Sequence, residues 1–530
     1  MLGLQLVVAL GITVLVGNLL ARRFGVAVPV VLLATGLLLS TFPVFHDVGL
    51  PPEMVLLLFL PALLFWESLT TSLREIRRFL RGIVLTGTLL VVVTATTVAI
   101  VAHAFGLSWG TAWLIGAALA PTDATAVAAL GRGLPHRHLT TLRAESLIND
   151  GTALVIYGLA LGFVTGEADI SPAHVLGLFT LSFAGGIAVG LVAGWLIFHA
   201  RRRIRDPLLG NVVTLLIPFV TYLLAEEIHA SGVLAVVTCG LQMARVAPLA
   251  ISAQTRQQAT PFWTLTTFLL NGALFVLVGM QLPAVVSGLS SAALGTAVLV
   301  TAAVYATVLL VRLGFLTITI YTIRTLDRRP QQRLLRTTAR GRVVSMTAGF
   351  RGAVSLAVAL AVPATLPGGG GFPARDMIVF VTAGVVVASL VFQGLALPRV
   401  IRWARLPEDT SFGNELRLAQ RTATQEALEL LPQIADSLGV DTDIADQVRI
   451  EYDAHLAHSL AEDEDEDDTR TESVHRRRQY HGLSLALITQ KRQTIVQLRD
   501  EGVIDDTVLR KIQSQLDIEE VRLAGPPEVD

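Results

Sequence analysis

One short polar segment, RAESLINDGTALV (residues 143–155), interrupts a long apolar stretch and has the side chains most able to do chemistry. Ser146 and Asp150 are four residues apart, as are Glu145 and Asn149, so a helix would place each pair on one face. Two buried carboxylates are costly to ionise together unless a positive charge is close. The spacing therefore predicts that Asp150 binds a cation or a proton.

A second polar segment, ALAPTDATAV (residues 118–127), has Asp123 two residues after Pro121. Proline cannot donate a backbone hydrogen bond and clashes with the carbonyl group four residues earlier, so this helix is predicted to kink or unwind there. Free carbonyl groups, the Thr122 hydroxyl and the Asp123 carboxylate are oxygen ligands that suit hard cations. The alternative is a proline kink in which Asp123 hydrogen-bonds to a neighbouring helix.

Three further charged residues lie within apolar runs, where an ionisable side chain costs at least ~2.5 kcal/mol and is expected to face a partner, a cavity or a substrate path. Arg351 lies between two glycines in TAGFRGAVSLAVAL, which predicts a helix loosened midway. Arg312 is the predicted partner of Glu145 in a buried ion pair. Glu67 follows a kinking proline in LFLPALLFWESL and is a candidate for lining the inward mouth.

The composition indicates which elements hold these residues. The chain is 52% hydrophobic and 16% charged, whereas an ordinary soluble domain has about 25% charged residues. Apolar runs of about 20 residues recur up to about residue 400, so we predict an all-α polytopic membrane protein with about thirteen transmembrane helices. The fifth (108–131) and twelfth (343–363) have the predicted breaks, seven helices apart, which favours inverted repeats and a midplane transport site. The sixth is predicted at 143–165.

Arginine-rich loops predict the orientation, because basic residues accumulate on the cytoplasmic side of short loops. Every second loop is basic, which places the N-terminus outside and the C-terminus in the cytoplasm. Among these loops are the segments with Arg74 to Arg81, Arg137 to Arg143 and Arg201 to Arg205. Residues 1–405 are the predicted membrane domain, and residues 406–530 are a predicted helical cytoplasmic tail with an acidic linker at about 461–472.

Several classes of function are excluded by residue counts. The formal net charge of -1 gives no basic excess for nucleic acid. The only lysines are Lys491 and Lys511, so the apolar part cannot have the GxxxxGK[ST] loop that binds nucleotide phosphates. The one cysteine, Cys239, cannot form an intramolecular disulfide. We therefore predict neither nucleotide-driven pumping nor redox chemistry, and we expect a protein that is not an enzyme and has no cofactor.

At these residues the chain resembles the monovalent cation/proton antiporter family, in its sodium/proton exchanger branch. The resemblance spans most of residues 1–400 and rests on PTDATAV from Pro121, ESLINDGTALV from Glu145, SGVLAVVTCGL from Ser231, LLNGALFVLVG from Leu269 and GFRGAVSLAVAL from Gly349. It implies a homodimer in which each protomer has a dimerisation part and a six-helix core, with two interrupted helices crossing at the ion site.

The resemblance also implies roles for single residues. Asp150 is the principal carboxylate that binds Na+ or a proton, and Asp123, Thr122 and Ser146 complete the site. Glu145 pairs with an arginine at the position of Arg312, and Asn149 followed by Asp150 is typical of the electroneutral branch. Many bacterial relatives read LPPLLFE, with the acid at the position of Trp66, so Glu67 stands one residue, or ~100° of helix rotation, away.

The resulting hypothesis is a secondary antiporter of the plasma membrane that exchanges Na+, or alternatively Li+ or K+, for H+ in a 1:1 ratio for pH and sodium homeostasis. Its partners are membrane lipid, a second copy of the chain, monovalent cations and protons. A cation channel would conduct without proton coupling and stays open as an alternative. An intramembrane aspartyl protease is disfavoured because its YD and GxGD signatures are absent from residues 1–405.

Overall fold

The computed structural model describes residues 2–42, 52–130, 134–166, 172–204, 206–250, 253–326, 338–366, 370–406 and 411–461, with short stretches between 484 and 520. The predicted acidic linker lies outside these residues, apart from Ala461. The described chain is helical, and one antiparallel bridge, between Thr365 and Gly371, is its sole extended pairing. It divides into two compact units, Met1–Glu408 and Asp409–Asp530.

Among the described residues, all the strongly apolar helices lie in the first unit. In chain order they are α1 (Leu2–Phe24), α2 (Val28–Leu39), α3 (Pro52–Thr70), α4 (Leu73–Val84), α5 (Leu90–Ala104), α6 (Trp109–Leu119), α7 (Ala124–Leu130), α8 (His136–Thr165), α9 (Pro172–Arg201), α10 (Pro207–Glu226), α11 (Gly232–Ala250), α12 (Ala253–Gly288), α13 (Ser291–Leu326), α14 (Ala339–Thr347), α15 (Ala353–Leu360), α16 (Arg375–Ala388) and α17 (Gly394–Ala404). Single π-helical turns join α4 to α5 and α16 to α17.

Many of these helices can cross a membrane. Within the described residues, eight are long and apolar enough to do so, and three shorter apolar helices accompany them. Large apolar side chains lie exposed on their outer faces, such as Leu4 (70% exposed) and Leu310 (68%), as expected where hydrocarbon takes the place of water. The predicted all-α polytopic fold is confirmed, whereas the count of thirteen stays a prediction.

Both predicted helix breaks are present. The fifth predicted span consists of α6 and α7, which are separated by four non-helical residues that include Pro121. The twelfth consists of α14 and α15, separated at residues 348–352, where two glycines flank Arg351. Backbone without helical hydrogen bonds is tolerated at membrane depth only where protein or a water-filled cavity supplies partners. These two segments therefore mark the interior site.

Two predicted boundaries are wrong. The sixth span begins at His136 and not at residue 143, so Arg137 and Arg143 lie on α8 and not in a loop. The basic segment from Arg74 to Arg81 forms α4, a strongly amphipathic helix, because its apolar residues recur at helical spacing while its arginines remain on the other face. Hydropathy alone marks where an apolar run begins, and these helices extend beyond their apolar parts.

The second unit contains α18 (Ser411–Leu438) and α19 (Thr442–Ala461), which pack against each other. Further along the chain Ile488, Ile495 and Leu516 form a small buried apolar cluster. The described part of this unit is helical, and its role as a cytoplasmic tail stays a prediction.

Candidate ion-binding site

The two broken helices meet through their backbones. The N–H of Asp123, in the break between α6 and α7, donates a hydrogen bond of 2.8 Å to the carbonyl oxygen of Phe350, in the break between α14 and α15. Each break therefore supplies a partner for a backbone group that the other leaves free. The crossing point lies among the polar residues singled out in the sequence.

Arg351 links the C-terminal ends of α6 and α14, the helices that precede the two breaks. Its side chain is 2% exposed. Nε donates to the carbonyl oxygen of Leu119, the last residue of α6, at 2.9 Å, and Nη1 donates to that of Gly349, just after α14, at 2.5 Å. Because the C-terminal end of a helix has free carbonyls and a partial negative charge, a guanidinium group there satisfies both.

Asp123 lies at the N-terminal ends of α7 and α15, the helices that follow the two breaks. One of its carboxylate oxygens, Oδ1, accepts hydrogen bonds from the backbone N–H of Thr125 at 2.8 Å and of Ala126 at 3.4 Å, and also from the Thr125 hydroxyl. The other oxygen lies against Gly352, the residue before α15. The acid thus caps α7 and the arginine caps α6, so part of the binding capacity of Asp123 is used by the fold.

The helix α8 contacts this crossing through two of the predicted side chains. The Ser146 hydroxyl donates to the carbonyl oxygen of Thr122 at 2.5 Å, and the Asn149 amide donates to the Thr122 hydroxyl oxygen at 2.8 Å. All three residues are buried, and the Asn149 carbonyl oxygen has no hydrogen-bond partner among the described residues. Ser146 and Asn149 therefore fix the position of the unwound segment through Thr122, and the carbonyl oxygen of Asn149 stays available for another partner.

Asp150, one residue later, is a buried carboxylate at the same place. It is 3% exposed. Both Asp123 and Glu67 are close enough to act on it electrostatically. Glu67 itself has a buried carboxylate oxygen without a partner in the described part of the chain. The structure therefore brings Glu67 near the predicted site, although its place in the sequence is displaced by one residue from the family pattern.

The predicted ion pair between Glu145 and Arg312 is confirmed. Nη1 of Arg312 lies 2.7 Å from Oε1 of Glu145, and the two side chains are 2% and 6% exposed. Nε of Arg312 also donates to the carbonyl oxygen of Ser345 at 2.9 Å. This pair ties α8 to α13 and to α14, so it supports the crossing from the side.

Two buried polar residues at the π-helical turn between α16 and α17 were not predicted from the sequence. The Ser389 hydroxyl accepts a hydrogen bond from the backbone N–H of Arg351 at 3.2 Å, and Gln393 is 3% exposed one turn later. Their spacing of four residues within VVVASLVFQG is a signal that could have revealed them. Neither residue stands out in the sequence, because neither is charged.

The described residues hold no group of three or more His, Cys, Asp or Glu side chains that could bind a resident metal ion. A transported cation would instead use carboxylate, hydroxyl and carbonyl oxygens together. It stays a prediction that this cation is bound by Asp150, Asp123, Thr122 and Ser146.

We expect Gly352→Ala to impair the site because a Cβ at this position would lie 2.7 Å from the Cβ of Asp123 and closer still to its carboxylate. Transport should fall by about 100-fold if the carboxylate is displaced by about 1 Å. Ion-dependent proton flux in proteoliposomes measures this loss. Gly158→Ala, on α8 with nothing within 4 Å, is the matched control and should keep wild-type flux. Equal flux in both variants would show that the position of Asp123 is unimportant.

These features define a class of protein, an integral multi-pass membrane transporter in which two broken helices cross at a buried charged site. The chain belongs to the sodium/hydrogen exchanger family: the family model described as "Sodium/hydrogen exchanger, transmembrane" matches residues 10–403. The resemblance seen in the sequence is confirmed. Members of this family are transporters and not enzymes, and the ions they exchange are substrates that require no cofactor.

Known proteins align over most of the chain. An uncharacterized Na(+)/H(+) exchanger of Mycobacterium tuberculosis is 42% identical over 100% of this chain and 97% of its own length. A sodium, potassium, lithium and rubidium/H(+) antiporter of Bacillus subtilis is 31% identical over 74% of this chain and 61% of its own length. The sodium proton antiporter MjNhaP1 of Methanocaldococcus jannaschii has a similar fold, with a TM-score of 0.59 at 18% identity, covering 76% of this chain and 99% of that one.

Proposed function

We propose that the chain exchanges one Na+ for one H+ across the plasma membrane, and that Asp150 is the group for which the two ions compete. The observation that supports this proposal is that the Asp150 carboxylate is buried beside two crossing helix breaks, with the carboxylates of Glu67 and Asp123 close by. A buried carboxylate near like charges is costly when charged. A proton or a cation relieves that cost, so the unloaded site is the least stable of its three states.

A one-for-one exchange gives both loaded forms of the site the same net charge. Asp150 is linked by electrostatic interaction to the carboxylates of Glu67 and Asp123. If these two keep their protonation states, a single proton and a single monovalent cation each add one positive charge at Asp150.

Equal charge in the two loaded forms gives a mechanism for coupling. If only the loaded site crosses between inward-facing and outward-facing states, every Na+ that moves one way is followed by a proton moving back. Asp150 would bind the dehydrated cation, with Asp123, Thr122 and Ser146 supplying further oxygens, and Asn149 would orient Thr122. The core would move against the dimerisation part of a homodimer.

Potassium is the second candidate, because the Bacillus subtilis relative is an antiporter of sodium, potassium, lithium and rubidium. Oxygen ligands alone do not separate these ions, since selectivity depends on the size and rigidity of the cavity. We propose sodium as the main substrate and the control of pH and sodium as the physiological role.

We also propose that the N-terminus lies outside and the C-terminus in the cytoplasm, as the basic loops predict.

The test is cation-induced proton movement in proteoliposomes of the full-length protein, with the membrane potential set by a potassium gradient and valinomycin. We expect Na+ to collapse a preset pH gradient at a rate that does not change with the applied potential. Liposomes without protein are the control. The choline salt gives the background rate.

Other outcomes would revise particular parts of the proposal. A rate that follows the potential would contradict the 1:1 ratio. Proton movement with K+ but not with Na+, measured with the potential unclamped, would make potassium the substrate. Cation flux without proton movement would identify a channel.

A further inference from the structure

A cavity of about 540 Å³ near the end of the membrane unit is lined by four arginines and one tryptophan. The lining residues are Arg340 on α14 and Arg399, Arg402, Trp403 and Arg405 on or directly after α17. The two helices pack against each other. Four like charges around one space repel each other unless an anion is between them.

Several of the arginines have defined contacts, and most donors of the cluster have no partner among the described residues. The guanidinium carbon of Arg340 lies 5.6 Å from the centre of the Trp403 ring, a cation–π distance. Arg399 donates from Nη1 to the carbonyl oxygen of Leu395 at 2.6 Å. A guanidinium group has five N–H donors, and one such bond leaves the planar fork that suits phosphate oxygens.

Stabilisation of a helix end does not account for this cluster. Arg402 and Arg405 lie at the C-terminal end of α17, where a positive charge is favourable. Arg399 precedes them on α17, beyond the reach of that effect, which is limited to the last turn, and Arg340 belongs to a different helix. The convergence of two helices on one cavity points instead to a shared ligand.

The exposed face of the same segment indicates the depth of the cavity in the bilayer. Phe392 and Leu395 are 63% and 61% exposed, which is expected for side chains that face hydrocarbon. Trp403 is eight residues after Leu395, about 12 Å along a helix. Tryptophan and arginine at this position mark the level of lipid headgroups, on the side predicted to be cytoplasmic.

We propose that this cavity binds the phosphate-bearing headgroup of an anionic membrane lipid, which bridges α14 and α17. The phosphate accepts hydrogen bonds from the four guanidinium groups, while the acyl chains lie along the apolar face that begins at Leu395. The site is separate from the ion-binding crossing and does not depend on the proposed exchange. Clusters of basic side chains between membrane helices have the chemistry that anionic headgroups require.

The test uses full-length protein in a neutral detergent, titrated with short-chain phosphatidylglycerol while thermal unfolding is followed. The double variant Arg399→Gln/Arg402→Gln should bind this lipid about 25-fold more weakly, since each basic residue near an anionic surface contributes about fivefold in affinity. The matched control is Arg202→Gln/Arg203→Gln, which removes two exposed arginines elsewhere, one of them lying over the Phe198 ring. The control should bind within about twofold of wild type.

Three results would overturn the proposal. Equal loss of affinity in both double variants would show non-specific attraction, and unchanged affinity in Arg399→Gln/Arg402→Gln would remove the cavity as the site. Binding of inorganic phosphate that displaces the lipid with equal affinity would assign a soluble anion. If the double variant does not fold, Arg340→Gln, on the other helix, should lower the affinity by about fivefold, and native mass spectrometry should detect fewer lipids bound to that variant.

Discussion

Asp150→Asn is expected to reduce cation-dependent proton flux at least about 100-fold, to the rate of liposomes without protein. The amide can neither take up a proton in this range of pH nor offer a charge to the cation. A charge-assisted ligand contributes about 1.5–3 kcal/mol, which corresponds to about 10- to 100-fold in affinity. Loss of the exchangeable charge also removes the coupling, so flux should fall further than affinity alone requires.

The same variant should stay folded, which separates this result from a general loss of structure. Because the carboxylate of Asp150 is buried beside those of Glu67 and Asp123, its removal should leave the melting temperature unchanged or raise it. Wild-type protein should be stabilised by added NaCl, as any ligand stabilises the state that it binds, and Asp150→Asn should lose this effect. Sodium-dependent proton flux that persists in the variant would remove Asp150 from the mechanism.

A matched control is Glu227→Gln, which removes an exposed carboxylate at the end of α10. It should leave both flux and stabilisation by NaCl at wild-type values. If the two variants lose flux equally, the effect belongs to the net charge of the protein and not to the crossing site.

The main features of the site follow from the sequence for a definite physical reason. Charged residues in a bilayer are costly, so Asp123, Asp150, Arg312 and Arg351 stand out against apolar surroundings. Proline and paired glycines cannot sustain a helix, and both breaks occur where they lie. The pair of Glu145 and Arg312 follows because few opposite charges are available at that depth.

Other features could not be predicted because they depend on tertiary contacts. The hydrogen bond between Asp123 and Phe350 joins residues more than 200 positions apart, and nothing local encodes it. At the crossing, Arg351 donates to carbonyl groups and Asp123 accepts from N–H groups. Predicting these hydrogen bonds requires knowing which helix ends face each other. Helix boundaries were missed at α4 and α8 because arginine is a good helix former that hydropathy treats only as a loop signal.

Arg312→Ala is expected to lower the free energy of unfolding by about 3–5 kcal/mol, because it leaves the buried carboxylate of Glu145 without its partner. The variant also frees the carbonyl oxygen of Ser345, which receives the Nε bond at 2.9 Å. Unfolding by SDS in mixed micelles measures the loss. Arg375→Ala is a matched control, since this arginine donates to the carbonyl oxygen of Val362 at 2.9 Å with no ion pair among the described residues, and it should cost only about 1–2 kcal/mol.

The double variant Glu145→Leu/Arg312→Met distinguishes the ion pair from simple loss of packing. It replaces both charges by apolar side chains of similar length, and such a replacement of a buried pair is often neutral or stabilising. We therefore expect the double variant to recover most of the stability that Arg312→Ala loses. Stability as low as that of the single variant would mean that Arg312 acts mainly through its volume and its bond to Ser345, and the ion pair would then not be what joins α8 to the crossing.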